Sequence, residues 1–166
     1  MTVRRLRLLG DPVLNEVAQE VTEFGARIRT LVNDMFDTMD NAGGVGLAAN
    51  QIGHSQRVFV FDCQGLRGHI VNPSWSPLSG DSQLGTEGCL SIPGVRGDVE
   101  RYRSVVCNGV DAEGRPLSIL GTGLLARCIQ HETDHLDGVV FLERLSAEEK
   151  KQAMSQVRTS TWWKER

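Results

Sequence analysis

The segment Gln130-His131-Glu132-Thr133-Asp134-His135 sets two histidines four positions apart. On a helix that spacing puts both imidazoles on one face, one turn apart, where they can share a metal ion. Glu132 lies about 100° around the helix from His131, close enough to handle a proton of water held by such a metal. The bland alternative is a pair of histidines on a solvated helix face. Leu124 and Cys128 continue the same stripe, so the face is expected to meet a core instead.

A catalytic zinc-type centre uses three protein ligands and keeps one position for water. Phe141 stands where a metzincin would place its third histidine, and phenylalanine cannot ligate. Glu143 follows closely in sequence, while Glu148 and Glu149 open a helix, where capping accounts for them. The third ligand is therefore expected upstream. Cys89 is the best candidate, in Thr86-Glu87-Gly88-Cys89-Leu90-Ser91-Ile92-Pro93-Gly94. Glycine beside it lets backbone approach a ligand closely, and Pro93-Gly94 predicts a turn. Cys63 and Cys107 sit in apolar runs and are expected in the core, whereas Cys128 either packs there or lines a pocket. His54 and His69 fall in no ligand spacing.

A glycine-rich stretch, Gly43-Gly44-Val45-Gly46-Leu47-Ala48-Ala49-Asn50-Gln51, could cradle phosphate, but no Lys-Ser or Lys-Thr follows it. Its small residues suit backbone left open beside a pocket, where an extended peptide can pair with it. Gln51 would add an uncharged amide donor at its end.

Several elements must position these groups. Apolar residues at helical spacing predict a helix over 25–42, stopped by Gly43-Gly44. Strands are expected over 57–63, 69–75, 103–110 and 116–120, with Asp111-Ala112-Glu113-Gly114 turning between the last two. The histidines belong to a helix over 123–136, and Ser146 caps a last helix reaching about residue 158. Asp11-Pro12 reads as a cap with proline at the first helical position. Antiparallel strands between separated helices make an α+β fold: a small single domain over residues 1–166, its strands around a central HExxH helix. The 166 residues are 40% hydrophobic and 23% charged, with net charge −3, which excludes a disordered chain and a general basic surface for nucleic acid. No apolar run approaches the roughly 20 residues that span a bilayer, and no signal peptide is recognised. A cytoplasmic protein with four reduced cysteines is expected.

The three segments Gly44-Val45-Gly46-Leu47-Ala48-Ala49-Asn50-Gln51, Glu87-Gly88-Cys89-Leu90-Ser91 and Gln130–His135 together resemble the peptide deformylase family. The resemblance implies removal of the formyl group from the N-terminal formyl-methionine of nascent peptides, releasing formate. It implies that Cys89, His131 and His135 hold one divalent metal, ferrous iron by family, with zinc, nickel or cobalt also able to bind. Such a metal lowers the pKa of its water. Glu132 would then act as general base and acid, with the Gln51 amide and the Leu90 backbone N–H meeting the oxyanion. The peptide would lie along Val45-Gly46 and its methionine side chain near Leu124 and Cys128. Glu87 and Arg96 would shape that region or form an exposed surface ion pair. Arg127 departs from the pattern, standing where an apolar residue is expected. Nascent formyl-methionyl peptides are the implied partners, with transient ribosome association through the last helix and no nucleic acid or membrane. A zinc endopeptidase and a closed four-ligand metal module are the competing alternatives.

Overall fold

A computed structural model describes residues 2–166. Asp11 accepts the Val13 amide and Pro12 opens a short 3-10 turn over Pro12–Asn15. The apolar stripe Ile28, Leu31, Val32, Met35 and Met39 is buried in α1 (Ala26–Ala42), which Gly43 ends at φ +69°. The chain continues through β1 (Gly46–Ala48), a 3-10 turn over Ala49–Ile52, β2 (Val58–Cys63) and β3 (Leu66–Pro77). A separate hairpin follows, β4 (Ser82–Cys89) with β5 (Ile92–Tyr102). Then come β6 (Ser104–Val110) and β7 (Pro116–Thr122), which complete an antiparallel sheet ordered β1-β2-β3-β6-β7. The chain closes with α2 (Gly123–Leu136), a 3-10 turn over Phe141–Arg144, α3 (Ala147–Thr159) and α4 (Thr161–Lys164). The Ser146 side chain accepts the Glu149 amide and so caps α3.

The α+β expectation holds, with helices set against antiparallel sheets. Strand alternation decides the layers. Phe59 and Phe61 of β2 point to one face of the five-stranded sheet and pack with Leu125, Ala126 and Ile129 of α2. Val58 and Val60 point to the other face and pack with Leu31, Val32 and Met35 of α1. On its remaining side α2 meets the β4–β5 hairpin, whose apolar residues join Phe141, Leu142 and Val157 in a third cluster. Cys63 and Cys107 are buried in the α2 cluster, as expected. The expected helix and hairpin spans over 25–42, 103–120 and 123–136 agree with the structure to within about two residues at each end.

Two expectations change. Pro93-Gly94 does not make the turn. The chain reverses at Leu90-Ser91, and residues 93–95 form a bulge as pairing passes from Cys89↔Ile92 to Gly88↔Arg96. The stripe shared by Leu124, Cys128, His131 and His135 is not buried along its length either, since Leu124 at the start of α2 is 43% exposed.

Gly109 tests the packing of the sheet. A Cβ there would lie 2.6 Å from the Val71 carbonyl oxygen and 2.7 Å from Ile70 Cγ1. Gly109→Ala is expected to cost about 1–3 kcal/mol, and each kcal/mol lowers Tm by roughly 2–4 °C in a chain of this size. Gly80, which has open space around it, should accept alanine without loss. Thermal denaturation of both variants checks this, and equal melting temperatures would contradict it.

Candidate metal centre

Two elements bring the candidate ligands together. Helical spacing on α2 sets the His131 and His135 rings with centroids 4.9 Å apart. Cys89, the last residue of β4, reaches across so that its Sγ lies 3.2 Å from His135 Nε2. One donor atom from each of Cys89, His131 and His135 lies within 4.8 Å of the others, and these three form the one such group among the described residues. A closed four-ligand site is therefore not what these residues build.

The donors suit a divalent transition metal. One thiolate and two imidazoles leave a coordination position open. His131 Nδ1 bonds Glu87 Oε1 at 2.8 Å, which leaves Nε2 to face the ion. Burial holds the His135 pKa well below the usual histidine range, which favours the neutral ring that a metal needs. Among the described residues, the buried side-chain polar atoms without a partner are Asn50 Oδ1, Glu132 Oε2 and His135 Nδ1. Two of the three belong to the HExxH motif, where a bound group would give the Glu132 oxygen a partner. Phe141, excluded as a ligand by its chemistry, stacks on the His131 ring with centroids 6.2 Å apart.

A cleft lined by Cys89, His131 and Glu132 has a volume of about 650 Å³. Glu132 is buried in its wall, and burial, assisted by the Glu87 carboxylate, pushes its pKa up to about 7. Gln51 is buried and fixed at both ends of its amide. Its Oε1 accepts the Ala48 N–H at 2.9 Å, and its Nε2 donates to Ser91 Oγ at 3.1 Å and to Cys89 Sγ at 3.5 Å. Leu90 lies at the hairpin reversal and lines the cleft. β1 pairs only with β2, so its other edge is unpaired, and Val45 and Gly46 line the cleft there. A side chain at Gly46 would displace its neighbours. A Cβ would lie 2.7 Å from Cys128 Sγ and 2.8 Å from Glu132 Oε1. Leu124 and Cys128 also line the cleft, Leu124 at its exposed rim and Cys128 in its buried wall.

The expected surface pair of Glu87 with Arg96 is not formed. Glu87 is buried and accepts from Arg101 Nε at 2.9 Å, Arg101 Nη2 at 3.0 Å and Arg127 Nη1 at 2.6 Å, besides its contact with His131. Burial works against its charge, yet the Arg101 and His131 bonds prevail and hold its pKa down at about 2. Arg96 stays on the cleft wall opposite Gly88 in the hairpin. Arg127 is buried as well, and its guanidinium also donates to the carbonyls of Val99 at 2.8 Å and Gln83 at 3.2 Å.

Sequence reasoning missed Arg101, which also donates to Asp134 Oδ2 at 2.7 Å, and Arg144, which braces Asp134 from outside. It also missed Asn50, whose amide donates to the His135 carbonyl, and Ser91 beside Gln51. Asn50, Ser91 and Asp134 sit inside the three quoted segments, so their position was a signal. Arg101 and Arg144 gave none.

Comparison with known proteins agrees with this geometry. The sequence profile described as polypeptide deformylase matches residues 3–151. The chain is 56% identical to peptide deformylase 1 of Corynebacterium efficiens, over 98% of this chain and 99% of that one. It is 57% identical to peptide deformylase 1 of Corynebacterium glutamicum over the same shares. Among solved structures, a peptide deformylase from Legionella pneumophila superimposes with TM-score 0.91 at 40% identity, covering 99% of each chain. One from Synechococcus elongatus, in complex with actinonin, gives TM-score 0.88 at 38% identity over 96% of this chain and 90% of that one. On sequence, fold and the convergence of its three segments, the chain belongs to the polypeptide deformylase family, the enzymes that remove N-formyl groups from nascent polypeptides.

Proposed function

We propose that residues 1–166 act as one catalytic domain that hydrolyses the formyl amide of N-terminal formyl-methionine, with Cys89, His131 and His135 holding its metal. The observation that carries this is the convergence of Cys89 on the two histidines beside buried Glu132. Ferrous iron is the proposed native ion, and zinc, nickel or cobalt suit the same donors. When bound, such an ion acidifies water to a pKa near 7 and polarises a carbonyl oxygen.

The chain's own residues do the rest. Glu132 Oε2, which has no partner among the described residues, takes the proton of the attacking water and returns it to the leaving amine. Gln51 Nε2 and the Leu90 backbone N–H meet the negative charge that develops on the formyl oxygen. Gln51 is oriented in advance by Ala48 and Ser91, so little reorganisation is needed in the transition state. The free edge at Val45-Gly46 pairs with the peptide main chain as an added strand. The methionine side chain enters between Leu124 and Cys128, and Arg96 borders the exit of the peptide. Glu87 does not touch substrate in this scheme; it holds the His131 ring.

No helix among the described residues is long and apolar enough to cross a membrane. We place the enzyme in the cytoplasm, acting on chains as they are made, with transient ribosome association through basic α3 residues Lys150, Lys151 and Arg158. An endopeptidase, which HExxH alone allows, is not the family to which the chain belongs.

Two variants test the assignment. Glu132→Ala should retain its metal but release formate from a formyl-methionyl peptide about 10²–10⁴-fold more slowly. Undiminished deformylation would remove Glu132 from its role. Cys89→Ala should lower metal content, read by metal analysis after anaerobic purification. A fully metallated, active Cys89→Ala protein would place the third ligand elsewhere.

A further inference from the structure

The β4–β5 hairpin carries one proposed ligand, and α2 carries the other two. The hairpin is not a member of the five-stranded sheet. It joins β6 through Arg103 alone, at the end opposite Cys89. Its apolar residues Ile92, Val95 and Val99 pack with Phe141, Leu142 and Val157, not with the α2 residues Leu125, Ala126 and Ile129. The bond between hairpin and α2 is therefore mainly polar. Gln130 ties the base of the hairpin by its amide contacts with the main chain of Tyr102. Nearer the metal the ties are charged.

Among those ties Arg127 has a distinct geometry. It stands one helical turn before His131, on the same face of α2. Its guanidinium bonds both strands of the hairpin at once, through Gln83 O and Glu87 Oε2 on β4 and Val99 O on β5. Only a planar, multi-donor head can do this from one position. We infer that Arg127 is a positioning residue for the metal centre: it clamps the hairpin to α2 and so fixes Cys89 against His131 and His135.

This rests on the ligand set proposed above. It also predicts a sign that electrostatics alone would reverse. The positive charge of Arg127 repels a divalent cation, so by Coulomb's law its removal should tighten metal binding. If Arg127 works by positioning, its removal should weaken binding.

The test is Zn²⁺ affinity of the full chain by chelator competition. Arg127→Met keeps a long stem in the cleft wall and removes the clamp. It is expected to bind Zn²⁺ about 10–100-fold more weakly than the unaltered protein. Its cobalt-substituted form should also show a weakened thiolate-to-cobalt charge-transfer band, a loss that a general drop in stability does not produce. Unchanged or tighter Zn²⁺ binding, or an undiminished band, overturns the inference. Should Arg127→Met not fold, Arg127→Lys decides, because lysine keeps the charge but cannot reach three acceptors. Weaker Zn²⁺ binding by a folded Arg127→Lys protein supports positioning, and unchanged binding overturns it. Cys89→Ala separates the two claims. If it binds Zn²⁺ as the unaltered protein does, the ligand set fails. If it loses Zn²⁺ while Arg127→Met keeps it, only the role of Arg127 fails.

Discussion

A carboxylate without water must be surrounded by donors, and Glu87 imposes that constraint on the whole site. It is buried at 5% exposure and takes bonds from two arginines and one histidine. Arg101, buried in turn, needs a second anion and finds Asp134 on α2. Asp134 is then braced by Arg144, whose side chain is 49% exposed. Charges thus alternate from the metal face to the surface. Breaking such a buried pair by removing one partner typically costs about 3–5 kcal/mol, because the other charge is stranded. The cluster joins β4, β5 and α2, the elements that must agree if three ligands are to converge.

Two buried glutamates near one histidine are shifted in opposite directions. Glu87 has several donors and is held at a pKa of about 2. Glu132 Oε2 has no partner among the described residues, and burial raises the Glu132 pKa to about 7. Environment alone separates them: one carboxylate is a fixed anion bonded to His131, and the other can take and return a proton near neutral pH. The close packing of Gly46 on Glu132 and Cys128 keeps the second one buried beside the cleft.

Much of this was legible in the residues, and the gaps have physical causes. The strand at 57–63 and the hairpin at 103–120 were found because apolar alternation and an Asp-Ala-Glu-Gly turn are strong local signals. HExxH and Cys89 stood out because metal ligation restricts residue types severely, and the fold brings Cys89, His131 and His135 together. The β4–β5 hairpin was missed because Ser82-Gln83-Leu84-Gly85-Thr86-Glu87-Gly88 is polar and glycine-rich, with no apolar alternation to mark a strand. Pro93-Gly94 imitated a turn but serves a bulge. With the hairpin unseen, Glu87 could only be matched to nearby Arg96, and Arg101 and Arg127 had no visible partner. Arg127 looked out of place on a core-facing helix because burial of its charge is offset by acceptors from strands distant in sequence.

The hairpin cysteine and the two α2 histidines are proposed to hold one ion together, with a position left for water. X-ray absorption on the zinc-loaded protein tests it most directly. One sulfur scatterer is expected at about 2.3 Å and the remaining nitrogen and oxygen scatterers at about 2.0–2.1 Å. A first shell with no sulfur, or with two, would contradict it.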